Sequence, residues 1–419
     1  MEDATHFTGA TQARNDFGVT GDLNGNPNLY NTSDIVVAVV DTGIDANHVD
    51  LDGGKVIAFF DAVNNNTTNS YDDNGHGTHV AGIIAGTGDG NSNNRGFAPG
   101  AALVSVKVCG ATAAAGCQTN DIIQGLNWLL ANRNTFDIVN ISIETFGTQA
   151  QSQNVIDLIN QLNNTGKTVF VAAGNNGQAG YNTLSTYAKH TPYSVGNVRD
   201  PDEGGWGLSV SSSRGTGSTG PWVVAPGHNI LAPLANSNNG YTEKTGTSMA
   251  TPAVAGIHAL MLDAFYTTGV NNGGSLILGT RNLGVPGFDK NYGNGEVLAY
   301  ESIQASLGQQ VTNFNDNRLY SVVQGAATAG QWDLYTFTLP SGQPSLNLNL
   351  LITDEGQQDL DLFLWIPGTT LNDAPQTSSV LPGSIPQDFI NWSNPAGGEY
   401  IVGVRSIMQA ANYSLEISY

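Results

Sequence analysis

The feature that most constrains the fold is a change of hydrophobic period near residue 308. Upstream of it, unbroken apolar runs rich in Val and Ile (Ile35 to Val40, Leu103 to Val108, Ile138 to Ile143, Thr168 to Ala172) alternate with segments of helical spacing (Thr78 to Gly86, Asn120 to Ala131, Val155 to Asn163, Thr251 to Phe265). Continuous apolar strands bury both faces, and strand and helix in alternation imply a mostly parallel sheet with helices on both sides. After Ala299 to Leu307, read as a last helix, the pattern becomes one of alternation with little helix: Trp332 to Leu339, Leu346 to Ile352, Leu360 to Trp365, Tyr400 to Val404 and Tyr413 to Ile417. That pattern predicts an antiparallel β-sandwich or jelly roll. The expected division is an α/β domain over residues 1–307, a polar Asn/Gln-rich linker over 308–317 and an all-β domain over 318–419, a division that the length of 419 residues accommodates.

Lys and Arg number 14 against 35 Asp and Glu, a formal net charge of −21. This excludes a basic face for nucleic acid or anionic membrane and makes cations, calcium first, the natural small partners. No run approaches the ~18–20 apolar residues that span a bilayer, and the first 30 residues lack the basic and apolar regions of a signal peptide. Two cysteines, Cys109 and Cys117, cannot make a four-ligand metal site alone. A close pair in so acidic a chain suits a disulfide in an oxidising compartment, hence a secreted protein, with two free buried thiols as the alternative. A monomer is the default expectation.

Three segments place a reactive residue among small residues at the end of an element. Strand Ile35 to Val40 runs into Asp41-Thr42-Gly43, leaving a carboxylate at the carboxyl edge of a parallel sheet. Asn74-Gly75-His76-Gly77-Thr78-His79-Val80-Ala81-Gly82 puts His76 at a helix start, flanked by glycines that permit close backbone approach. Gly246-Thr247-Ser248-Met249-Ala250-Thr251-Pro252 puts Ser248 at a helix N-terminus, where N–H groups and the helix dipole stabilise a developing anion. Singly, these read as well as a buried strand-end Asp, a metal-pair or core His and an N-cap Ser. Together they supply carboxylate, base and nucleophile in the chain order Asp, His, Ser.

These segments resemble the signatures of the subtilisin-like serine proteases, the subtilases, over about residues 8–305. Val169-Phe170-Val171-Ala172-Ala173-Gly174-Asn175-Asn176-Gly177 is similar to the family's oxyanion strand and turn, and Val223-Val224-Ala225-Pro226-Gly227 to a stretch ahead of the serine. The resemblance implies a serine endopeptidase acting on polypeptides: Ser248 the nucleophile, His76 its base, Asp41 the orienting carboxylate, and Asn175 with the Ser248 N–H the oxyanion donors. His76 in its Gly-His-Gly-Thr-His setting argues against the sedolisins, which use Glu and Asp. The rival readings are a non-catalytic adhesion or binding protein on a protease scaffold, and a hydrolase of other esters or amides on the same triad.

By the same resemblance, an extended substrate pairs with Ala113, Ala114 and Ala115 on one side and Ile141, Ser142 and Ile143 on the other, with Gly174 on the S1 wall. Cys109 and Cys117 bracket the first segment, and their disulfide would hold that edge. Glu144 stands where the family usually has Gly; it would put a negative charge at the mouth of S1 and favour a basic P1 residue, unless it points into solvent. Structural calcium is implied at Asp61, Asn64, Asn66 and Thr68, which resemble a calcium loop, and at Asp50 with Asp89, Asn91 and Asn93, whose loop departs from the usual pattern. Asp354, Asp359 and Asp361 resemble the acidic strand entry of bacterial pre-peptidase C-terminal domains, which implies a further calcium role there. The family's N-terminal prosegment, inhibitor and folding aid, is an expected partner, and residues 1–30 resemble the start of a processed catalytic domain.

Overall fold

Successive side chains of β1 (Val36–Asp41) enter two different cores. Val37 and Val39 join Val80, Ile83 and Ile84 of α3 (His76–Ala85) and the apolar face of α7 (Thr247–Thr268); Val36, Ala38 and Val40 join Ile122 and Leu126 of α4 (Thr119–Ala131) and Ile159 and Leu162 of α5 (Gln149–Asn164). Burial on both faces is why these runs are continuously apolar. The computed structural model describes residues 1–112, 115–144, 149–199, 207–269, 279–311, 319–356 and 358–419.

The first region holds a nine-stranded sheet. Its other strands are β2 (Val56–Asp61), β3 (Ala102–Lys107), β4 (Ile138–Ile141), β5 (Thr168–Ala172), β6 (Ser194–Val198), β7 (Val223–Pro226), β10 (Thr280–Arg281) and β11 (Glu296–Val297), with β8 (Ile230–Pro233) and β9 (Tyr241–Lys244) forming a separate hairpin. The order is β10-β11-β7-β6-β5-β4-β1-β3-β2, all parallel except β10 against β11. Strand β1 lies between β3 and β4, so the chain reverses its direction of sheet growth at β1, the kind of place where open α/β sheets gather their sites.

The structure shifts the ends of several expected elements. The helix expected from Thr251 begins at Thr247, because Pro252 lies inside it rather than at its start; the missing N–H only frees the carbonyl of Ser248. Strand β4 stops at Ile141, short of the expected Ile143. Helix α7 is also long and apolar enough to meet the composition test for a membrane span, but 78% of that window is buried in the core.

Two four-stranded antiparallel sheets make up the second region, β12 (Tyr320–Ala327), β19 (Ala411–Ser418), β14 (Ser345–Ile352) and β17 (Gln387–Ser393) in one, β13 (Trp332–Leu339), β18 (Gly398–Ser406), β15 (Leu360–Trp365) and β16 (Thr377–Ser379) in the other. Leu346, Leu348, Leu350, Leu362, Val402, Val404 and Leu415 fill the space between them. Every residue of β14 is buried, not only alternate ones, because the outer face of its sheet packs on the α/β region: Leu351 joins Val198, Leu208, Val224 and Tyr292. Of the expected linker, residues 312–317 lie outside the described residues.

Candidate active site

Asp41 ends β1 with its carboxylate fully buried, and His76 opens α3 beside it; Oδ1 accepts a hydrogen bond from His76 Nδ1 at 2.7 Å and one from the Thr42 N–H at 2.8 Å. Both glycines flanking His76 are required by this approach. Gly75 caps the helix at φ 98°, and a Cβ on Gly77 would lie 2.1 Å from the Gly43 carbonyl oxygen. Burial disfavours the imidazolium, but the charge of Asp41 and its hydrogen bond outweigh it, and the His76 pKa is raised above the ordinary 6.5.

One residue that sequence reasoning missed organises this corner. The buried carboxylate of Asp72 accepts from Thr42 Oγ1 (2.9 Å), the N–H groups of Asn74 (3.0 Å), Gly75 (2.8 Å) and Thr78 (2.9 Å), and Thr78 Oγ1 (2.7 Å). Thr42 Oγ1 in turn accepts the Gly77 N–H at 2.8 Å. Asp72 therefore joins the end of β1 to the start of α3. The available signal was an Asp ahead of an Asn-Gly turn, a side chain that bonds backbone N–H groups a few residues on.

Ser248 lies in the first turn of α7, where its N–H has no intrahelical acceptor. Its hydroxyl donates to the Ser142 carbonyl at 2.8 Å rather than to His76. Asn175 follows β5 with its side-chain oxygen held by Thr247, through the N–H at 2.9 Å and Oγ1 at 3.3 Å, which leaves Nδ2 free to donate. Gly174 has φ 107°, a conformation open to glycine, and donates to Thr247 Oγ1 at 3.2 Å. Asn175 is thus joined to the start of α7 through Thr247, and Ser248 bonds the carbonyl of Ser142, which lines a cleft together with His76.

Cys109 and Cys117 are joined in a disulfide, and the loop they close lines a cleft with His76, Ser142, Ile143 and Glu144. Ala115 is exposed on that loop, while Ala113 and Ala114 lie outside the described residues. Ile141 is flanked by Val40 of β1 and Val171 of β5 and is fully buried, and Ser142 is buried too although it lines the cleft; Glu144 is exposed.

The residues expected to hold calcium bond protein groups in this structure. Asp61 accepts from the Asn64 N–H (3.0 Å), Asn64 Nδ2 (2.9 Å) and Tyr71 Oη (2.7 Å), while Asn66 and Thr68 bond each other. Asp50, fully buried, accepts from the Gly90 N–H and Tyr241 Oη at 2.9 Å each, and Asp89 is exposed. Asp354 accepts from Asn412. Asp359 and Asp361 are both held above the usual carboxylate range by burial, Asp361 also by the charge of Asp359. Among the described residues no group of three or more His, Cys, Asp or Glu side chains could hold a metal ion. Hard cations take six or more oxygens, which Asn and Thr side chains and backbone carbonyls supply as well as carboxylates.

The family model described as the subtilase family matches residues 32–295, more than half of the chain. The chain belongs to the subtilase family. Among its relatives, serine protease AprX of Bacillus subtilis (strain 168) is 35% identical over 257 residues, covering 54% of this chain and 57% of that protein. Subtilisin NAT of Bacillus subtilis subsp. natto is 35% identical over 241 residues (57% and 58%), and subtilisin DY of Bacillus licheniformis 33% over 240 residues (57% and 80%). The chain spans 57% and 58% of the first two relatives' own lengths. In this subtilase, the all-β region follows the matched segment.

Proposed function

We propose that this subtilase is a serine endopeptidase that hydrolyses peptide bonds in polypeptides through an acyl-enzyme. The observation that carries the reading is the 2.7 Å Asp41–His76 hydrogen bond, in a subtilase whose Ser248, at a helix N-terminus, bonds the carbonyl of the cleft residue Ser142. Substrate binding turns the Ser248 hydroxyl from the Ser142 carbonyl to His76. Its oxygen attacks the scissile carbonyl carbon as His76 Nε2 takes the proton. The oxyanion receives hydrogen bonds from Asn175 Nδ2 and the Ser248 N–H. Collapse breaks the C–N bond, His76 returns the proton to the leaving amine, and a water activated by the same imidazole hydrolyses the ester. Asp41 holds the productive tautomer and stabilises the imidazolium without taking its proton.

An extracellular location is supported by the Cys109–Cys117 disulfide in an acidic chain. The deciding experiment digests a mixed peptide library with the wild type and with Ser248→Ala, with a serine-directed phosphonate as label. Cleavage and labelling by the wild type alone support the reading; a folded wild type that does neither overturns it. The residues at the cut sites then report whether Glu144 selects basic side chains.

A further inference from the structure

The loop that carries Asn175 is tied to a second segment, residues 211–215. Ser213 donates its N–H to the Gly174 carbonyl at 3.0 Å, Asn176 its N–H to Ser213 Oγ at 3.0 Å, Gly177 its N–H to the Ser211 carbonyl at 2.9 Å, and Thr183 its N–H to the Arg214 carbonyl at 2.9 Å. Arg214 is fully buried, and no carboxylate lies within ion-pair distance of it among the described residues. Its Nη1 donates to the Gly177 carbonyl at 3.1 Å and its Nη2 to Gln387 Oε1 at 2.6 Å. Gln387 belongs to β17 of the all-β region; its own Nε2 donates to the Leu208 carbonyl and to Asn349 Oδ1, both at 2.6 Å.

We infer that the all-β region positions the oxyanion donor, with Gln387 acting through Arg214 on the loop from Gly174 to Gly177. The inference rests on the peptidase reading above. Arg214 Nε is buried without a hydrogen-bond partner, so the Nη1 and Nη2 bonds are what compensate this guanidinium in the absence of a counter-ion. Its planar fork converts two such bonds into a fixed orientation. Gln387 is held on three sides, so it sets the plane of Arg214, and Arg214 sets the Gly177 carbonyl two residues beyond Asn175. An oxyanion donor acts through its placement relative to the transition state, so small displacements of that loop lower turnover while substrate binding along the cleft is unchanged. Gln387 and Arg214 are positioning residues; neither contacts the reacting atoms.

The test compares wild type, Gln387→Met, Phe389→Leu and Asn175→Ala for kcat, KM, and inhibition by a peptide aldehyde and by the corresponding peptide acid. Phe389 stacks on Arg199 at the same interface, 3.6 Å from guanidinium carbon to ring centre, and controls for docking alone. Gln387→Met is expected to lower kcat about tenfold with KM within about twofold, and to weaken the aldehyde, whose adduct carries an oxyanion, by the same factor while the acid binds as before. Phe389→Leu is expected to leave the aldehyde-to-acid ratio unchanged. Wild-type kcat and aldehyde affinity in Gln387→Met overturn the inference, as does an equal loss in Phe389→Leu. If Gln387→Met melts below the assay temperature, Arg214→Lys, which keeps the charge but not the fork, is read by the same ratio, and a wild-type ratio there overturns it too. A wild type that neither cleaves nor binds the aldehyde removes the peptidase reading itself, an outcome distinct from the others.

Discussion

Thr247, the residue before the candidate nucleophile, donates its backbone N–H to the side-chain oxygen of Asn175 at 2.9 Å. One contact thus links the start of α7 to the loop after β5 and occupies the oxygen end of the Asn175 amide, leaving Nδ2 to donate elsewhere. Asn175→Ala should lower kcat by ~10² to 10³ with little change in KM. Thr247→Val removes the second anchor, the 3.3 Å bond from Oγ1, and should cost about tenfold in kcat. Steady-state kinetics on a peptide amide substrate decides both.

The pH profile follows from His76. Its folded pKa is raised above 6.5, burial opposing the shift and Asp41 producing it. The neutral imidazole is the base, so kcat/KM should fall tenfold per pH unit on the acid side of that raised pKa and level off above it. Asp41→Asn removes the charge that raises the pKa; the acid limb should then move to lower pH while kcat falls by roughly 10³ to 10⁴. An acid limb in the same place in both enzymes would count against Asp41 as the cause.

Asp72 should matter more to stability than its distance from the serine suggests. Asp72→Ala leaves Thr42, Asn74, Gly75 and Thr78 without their acceptor in a buried corner. With each unsatisfied buried group costing about 1–3 kcal/mol and part of the loss recovered by water, a destabilisation of roughly 3 kcal/mol or more is expected. Denaturant unfolding measures it, and Asp72→Asn, which keeps the shape and part of the acceptor set, should cost less.

The Asp50 and Asp61 carboxylates are anchored by protein groups in this structure. Asp50→Asn and Asp61→Asn should therefore lower the melting temperature by the same amount in calcium and in a chelator, by a few degrees for a loss of about 1–2 kcal/mol. A loss seen only in calcium would assign these carboxylates to a metal.

Much of the candidate site was legible because its chemistry sits in short contiguous segments. Asp41 follows directly on an apolar strand, His76 and Ser248 sit at helix starts, and Asn175 follows another strand, so local pattern placed each of them. Asp72 was not legible, since an Asp beside Asp73 in a polar turn looks like a solvated loop until the turn folds against β1. The resting contact of Ser248 with the Ser142 carbonyl was equally hidden, because those residues lie 106 positions apart in the chain.

The same distinction separates the two halves of the molecule. Period-two alternation along Leu346 to Ile352 and Tyr413 to Ile417 predicts strands of a sandwich, and Leu348, Leu350 and Leu415 lie in its core. It left open what covers the polar positions between them, Asn349 and Glu416. Tertiary structure decided that: both are buried against the α/β region, where Asn349 Nδ2 and Tyr292 Oη donate to Glu416 Oε2 and burial raises the Glu416 pKa to about 8. Local sequence specifies which face of a strand is apolar, since side chains alternate by covalent geometry. What covers the other face depends on the shape and hydrogen-bonding groups of a surface made by residues far away in the chain.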